Sequence, residues 1–196
     1  MLTIGIFSLA RTAQGQALPT ASEGSSISVF AGATGAYTGV GGGRNLGITA
    51  GGDYTIRGFF GFRPALEVRG TYPLHDGTIA DEKSVLGGVR VERPLGRLHP
   101  YGDFLIGRGS IDYIRTFIID TPTSSSLYIR TDSTVYSMGA GFEYNLSPRI
   151  ALRADGQYQH WDTPVINSGT AWAKQGTVAV TYRFDFNRHW HRRHQQ

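Results

Sequence analysis

The chain has no cysteine, which excludes a disulfide scaffold, a thiolate metal site and a cysteine nucleophile. Lysine is nearly missing: Lys83 and Lys174 are the only two in 196 residues. Charged residues make up 17%, below the roughly 25% of an average soluble domain. A soluble surface mixes Lys and Glu freely, so this scarcity argues against an ordinary solvated coat. No apolar run reaches the length of a spanning helix, and mean hydropathy is −0.22. A helical membrane span is thereby excluded. A β-barrel is not, because alternation dilutes its apolar residues.

What the chain does have is 27 glycines and 12% aromatic residues. Glycine costs about 1 kcal/mol at each helix interior position, which argues against a helical bundle. The aromatic content argues against disorder. The net charge of +4 belongs to the ends. Arg11 lies near the start and Arg188, Arg192 and Arg193 lie near the finish, while residues 17–187 carry 15 basic and 15 acidic side chains. A neutral body lacks the basic stripe of a nucleic-acid surface. Residues 1–17 open on an apolar stretch and end on the small residues Gly15-Gln16-Ala17, the pattern of an export signal. Residues 187–196 read as a basic, His-rich and solvated tail. The expected folded domain is 18–186.

Period-2 alternation dominates that domain. From Arg149 to Trp161, Ile150, Leu152, Ala154 and Tyr158 share one face and Arg153, Asp155, Gln157 and Gln159 the other. Similar stretches give eight strands, at about 26–37, 44–57, 62–74, 84–94, 99–114, 133–146, 149–162 and 174–186. Their lengths reach the roughly 9–11 residues that a tilted strand needs to cross a bilayer. The connections alternate. Those at 58–61, 95–98 and 147–148 are tight, whereas 118–132 and 163–173 are long and polar. A meander with short turns at one end and long loops at the other predicts an all-β, eight-stranded, antiparallel up-and-down transmembrane β-barrel.

The polar face holds Asp53, Glu67, Arg69, Arg90, Glu92, Glu143, Arg153, Asp155 and Arg183. Five carboxylates against four arginines suit a paired interior network, in a barrel just wide enough for side chains to fill. Aromatic residues gather at the strand ends, as in two interfacial girdles. Phe59, Phe60, Phe62, Tyr101, Tyr144, Tyr182, Phe184 and Phe186 fall at the tight-turn end, and Tyr37, Tyr72, Tyr113, Tyr158, Trp161 and Trp172 at the loop end. In the fifth strand, unbroken alternation would place Arg108 on the apolar face. A bulge at Gly107 or Gly109 is expected to reset the phase and return Ile111 and Tyr113 to lipid.

Three stretches carry a family resemblance. Pro100-Tyr101-Gly102-Asp103-Phe104-Leu105-Ile106-Gly107 is similar to the fifth strand of small outer-membrane barrels of the OmpA-like, OmpX-like and opacity-protein type. Residues 143–155, Glu143-Tyr144-Asn145-Leu146-Ser147-Pro148-Arg149-Ile150 followed by Ala151-Leu152-Arg153-Ala154-Asp155, resemble their sixth strand, periplasmic turn and seventh strand. Val180-Thr181-Tyr182-Arg183-Phe184 resembles their closing strand. The resemblance implies a bacterial outer-membrane location and contact with outer-membrane lipid and lipopolysaccharide. It also implies a barrel-assembly machinery that reads Tyr182, Phe184 and Phe186. Ten residues follow Phe186, a departure from a family whose chains end at that aromatic.

No cofactor, metal or catalytic residue is expected. His160, Asp162 and Ser168 lie near one another in sequence, and His160 faces lipid by the period-2 count. They lack the geometry of a triad on sequence alone. His75-Asp76 and Asp81-Glu82 are candidates for weak cation binding in the second outer loop. The reading is a structural or surface-interaction protein, acting in membrane integrity, adhesion or binding of an unidentified extracellular ligand. Its contacts fall on Thr121–Ser126 and the loop with Trp172. A lipid-A-modifying enzyme and a soluble lipocalin-like carrier stay open as second and third readings.

Overall fold

The computed structural model describes residues 25–39, 43–58, 60–75, 80–121, 124–163 and 168–184, with side chains described outside 75, 80 and 114–129. Eight strands follow in order: β1 Ser26–Tyr37, β2 Arg44–Thr55, β3 Arg63–His75, β4 Ala80–Glu92, β5 Leu98–Thr121, β6 Ser124–Asn145, β7 Ile150–Asp162 and β8 Thr170–Phe184. Each pairs antiparallel with the next, and β1 pairs with β8, so the sheet closes into a barrel. Closure leaves no sheet edge within the wall. Residues 1–17, expected as an export signal, Phe59, Phe186 and residues 187–196 lie outside the described residues.

Alternation sorts the two surfaces. On β8, Trp172, Lys174, Val178, Val180, Tyr182 and Phe184 are exposed, while Ala171, Ala173, Gln175, Thr177, Ala179 and Thr181 are buried. The outward set also includes Ile27, Val29, Leu66, Val68, Val89, Val91, Phe104, Ile106, Met138, Phe142 and Leu152. An apolar exterior around a closed barrel is the reverse of a lipocalin, whose apolar face turns inward. It is a lipid-facing belt. Gly35, Gly176, Gly156, Ala140 and Gly102 stand in one register line across five strands of this face. They leave a smooth strip that lipid tails fill.

The interior has three levels. Charged groups fill the tight-turn end. A middle belt joins hydroxyls and amides: Thr34 bonds Thr49 at 2.6 Å and Thr177 at 3.0 Å, Thr49 bonds Thr71 at 2.8 Å, and Gln159 and Gln175 exchange bonds of 3.2 and 3.1 Å. The loop end is apolar, with Leu86, Leu105, Ile111, Tyr113, Val135, Trp161, Ala171 and Ala173 packed together.

This third level corrects two expectations. Tyr113 and Trp161 are not girdle residues; they are buried inside, as is Tyr101 at the other end. Nor does a bulge interrupt β5 at Gly107 or Gly109. The β4–β5 register runs unbroken from Glu92↔Tyr101 to Ala80↔Tyr113, and the shift in β5–β6 falls later, between Asp112 and Phe117. Ile111 therefore stays inside and Arg108 stays outside. The glycine at 109 makes room instead: a Cβ there would sit 2.3 Å from the Trp161 ring and 2.8 Å from Val135.

Two loop boundaries also move. β5 and β6 stay paired through Thr121↔Ser124, within the stretch expected as a loop. β8 begins at Thr170, so Trp172 is a strand residue on the lipid face, not a loop contact. At the turn end, Gly61 and Gly96 adopt φ of 79° and 66°, the left-handed conformation that tight hairpins require.

Gly109→Ala is expected to lower stability by about 1–3 kcal/mol through overpacking. Urea unfolding in lipid vesicles, followed by tryptophan emission, checks this. Unaltered unfolding would show that the Trp161 layer yields freely.

Candidate functional site: a charged plug and an aromatic outer rim

Six strands aim the charged residues at one level of the interior. Arg153 on β7 is the hub. Its guanidinium donates to Glu67 at 2.8 Å, to Asp155 at 3.2 Å and to Asp53 at 3.3 Å, and its Nε donates to the Tyr101 hydroxyl at 2.7 Å. Arg90 on β4 pairs with Glu92 at 2.7 Å, Asp53 at 3.0 Å and Glu143 at 3.0 Å. Arg69 on β3 pairs with Glu67 at 2.6 Å and Asp155 at 3.2 Å. Arg183 on β8 donates to Glu143 and Asn145 and is partly exposed towards the turns. Eight of these nine residues, all but Arg183, are buried.

Sequence reasoning missed several members. Tyr101 is one: its hydroxyl donates to Asp155 at 3.0 Å, and its ring lies 4.1 Å below the Arg90 guanidinium carbon. Phe30 is another, with its ring 4.0 Å from the Arg153 guanidinium carbon. Rings over cations in a dry site add attraction beyond the ion pairs. Asp103 accepts from Gln157 at 2.9 Å, and His99 stands 3.6 Å from Glu92. Parity held the signal for Tyr101: two residues before Asp103, it shares that residue's inward face.

The ionisable groups of the plug are committed to one another. Each arginine is engaged by two or more acceptors, and the level is closed by side chains. The remaining candidates do not assemble. His160 faces outward, 4.7 Å from Trp172 and 6.4 Å from Tyr136 between ring centroids, and Tyr158 stacks on Trp172 at 4.8 Å. Ser168 donates to the Thr170 carbonyl at 3.1 Å. Among the described residues no hydrogen bond joins His160, Asp162 and Ser168. Asp81 and Glu82 are sequence neighbours on one strand, so they point to opposite faces and cannot chelate together. Glu82 is buried inside. Among the described residues no group of three His, Asp or Glu is placed to hold a metal. Asp76 and the histidines of the tail lie outside the described residues.

An apolar exterior, a paired polar interior and a rim of aromatic side chains define a barrel that lives in lipid. The family described as outer membrane protein beta-barrel domain matches residues 2–184. The chain belongs to that family. Its place is the bacterial outer membrane, with its lipid face against outer-membrane lipid. Solved barrels of this family's kind share the fold. The Neisserial surface protein A is 14% identical, covers 82% of this chain and 97% of its own, and superposes with a TM-score of 0.51. The attachment invasion locus protein Ail of Yersinia pestis is 16% identical over the same shares, also at 0.51. The outer membrane enzyme PagL is 15% identical, with 80% of this chain and 98% of its own covered, at a TM-score of 0.44. Comparison with curated proteins finds no match. At these identities the solved barrels speak for the fold alone.

Removing the hub of this outer-membrane barrel leaves several buried carboxylates without their cation. Arg153→Ala is expected to cost roughly 3–5 kcal/mol. Unfolding in detergent or vesicles measures it, and wild-type stability would mean that Arg153 is solvated.

Proposed function

We propose that this outer-membrane barrel is a non-enzymatic surface protein that acts through its β5–β6 hairpin, in adhesion or receptor-like binding. The length of that hairpin carries the reading. β5 has 24 residues and β6 has 22, against 12 to 15 in the other strands. Among the described residues β4 pairs with β5 no further out than Tyr113, and β7 with β6 no further out than Val135. Beyond those points the paired strands form a ribbon with two open edges among the described residues. Open edges are templates for an added strand, and alternate side chains then set specificity. The paired segment contains Phe117, Ile118, Ile119, Leu127 and Tyr128, apolar residues beyond the lipid belt.

The filled interior supports a structural rather than a conducting barrel, since an eight-stranded wall leaves little space inside. The unassembled His160, Asp162 and Ser168 favour a binding role over lipid-A chemistry. Tyr182 and Phe184, in edge contact at 5.0 Å on the lipid face, stand where an assembly machinery would read the closing strand.

Replacing residues 115–128 with a short turn is expected to preserve folding, checked by heat-modifiable gel mobility. Attachment of expressing cells to a serum-coated surface should fall to that of cells lacking the protein. Attachment at the wild-type level would reject the hairpin as the contact. Lipid A from cells with and without the protein should have the same acyl pattern by mass spectrometry, whereas a lost or shortened chain would restore the enzyme reading.

A further inference from the structure

The upper edge of the lipid belt can be read strand by strand. On β4 the outward residues run Val91, Val89, Gly87, Val85 and then Lys83. On β5 they run Phe104, Ile106 and then Arg108, and on β6 Met138, Tyr136, Thr134, Asp132 and Arg130. Val85 pairs with Arg108, and Ile106 pairs with Tyr136. The change from apolar to cationic on β4 and β5 therefore falls within two residues of one register line, beside a girdle tyrosine.

At that height the outer wall is hollow. A concavity of about 580 Å³ lies across β3 to β6, bordered by Tyr72, Lys83, Val85, Arg108, Arg130 and Asp132. Gly70, on the outward face at its floor, contributes no side chain. Two of its cations are pre-positioned. The Lys83 ammonium is held by Asp112 at 2.6 Å and sits 5.3 Å from the Tyr72 ring centroid. Arg130 lies 3.1 Å from Asp132 and 3.7 Å from Asp112. Arg108 differs from every inward arginine of the barrel. It is exposed, and among the described residues it has no hydrogen bond and no ion pair.

A guanidinium costs most at the bilayer midplane and least at the interface, where an anionic headgroup can meet it. We propose that this concavity is a lipid-phosphate site, which seats the phosphorylated headgroup of an outer-leaflet glycolipid of the lipid A class. Arg108 makes the bidentate contact, for which its planar fork is suited. Lys83 and Arg130 supply the flanking positive charge, with Asp112 and Asp132 holding them in place. The acyl chains descend over Val85, Ile106 and Val89. The site is on the wall of the barrel and does not depend on what the β5–β6 hairpin binds.

The test titrates purified, delipidated full-length protein in detergent with diphosphoryl lipid A, followed by native mass spectrometry. Wild type should bind it, and Lys83→Gln/Arg108→Gln should bind about ten-fold more weakly, a difference of about 1.4 kcal/mol. Dephosphorylated lipid A should bind both proteins equally and weakly. Arg57→Gln/Arg149→Gln, at the exposed opposite rim, should bind as wild type does. All three proteins should show the same heat-modifiable mobility, so that lost binding is not lost folding. Equal affinity of wild type and Lys83→Gln/Arg108→Gln would overturn the proposal. So would a phosphate-independent affinity, or full displacement of the lipid by millimolar inorganic phosphate, which would make the site one for the free ion.

Discussion

The interior of an eight-stranded barrel is about as wide as the side chains that fill it, so every inward group must find its partner within the wall. Arg153 shows what that demands. It stands on β7, yet three of its acceptors are Asp53 on β2, Glu67 on β3 and Tyr101 on β5. The cation thus ties the far wall to the near one. A one-residue slip of β7 would turn Arg153 and Asp155 to lipid and bring Leu152 and Ala154 inside. Charges on the lipid face cost up to about 2–4 kcal/mol at the midplane, and the partners left behind would be buried and unpaired. Burying ion pairs gains little stability in itself. Here it makes every wrong register expensive.

Much of this was legible because a strand's side-chain period is 2 and carries across whole elements. Arg69, Arg90, Arg153 and their carboxylates needed only a count along each strand. What misled was letting side-chain chemistry overrule that count. Tyr101, Tyr113 and Trp161 share the inward parity of Asp103 and Gln159 but are aromatic, so they read as girdle residues. Inside, the Tyr101 hydroxyl serves Arg153 and Asp155, and the Trp161 indole donates to Gln159 at 3.2 Å. An aromatic ring with a polar handle satisfies an interior as well as an interface. Which arginine meets which carboxylate was not legible at all. It follows from how far each strand is staggered as the barrel closes, a property no single strand carries.

The Ser- and Thr-rich stretch after Ile118 misled for a related reason. Its polarity resembles a loop, but Thr, Ile, Phe and Tyr favour extended backbone, and the pairing Phe117↔Tyr128, Ile118↔Leu127 and Ile119↔Ser126 continues the hairpin. Outside the bilayer no lipid face enforces alternation, so the period-2 signal fades while the strand goes on. The end of a visible pattern marked the membrane edge, not the end of the strand.

Arg108 obeys the same count along the strand. In the sequence it looked like an error of phase, and a bulge was the economical way to hide it. The register admits no bulge, because Leu105 and Ile111 both lie inside and an even spacing separates them. Arg108 is therefore outward by the same rule that places Phe104 and Ile106 outward. Inside the barrel a guanidinium must be paired by the protein itself, as Arg69, Arg90 and Arg153 are. At the outer edge of the belt no described residue partners Arg108 in this way. Strand parity leaves it pointing at lipid, and at that height the lipid is its charged headgroup. The same side chain is a structural tie on one face of the wall and a handle for the membrane on the other, and the count along the strand decides which.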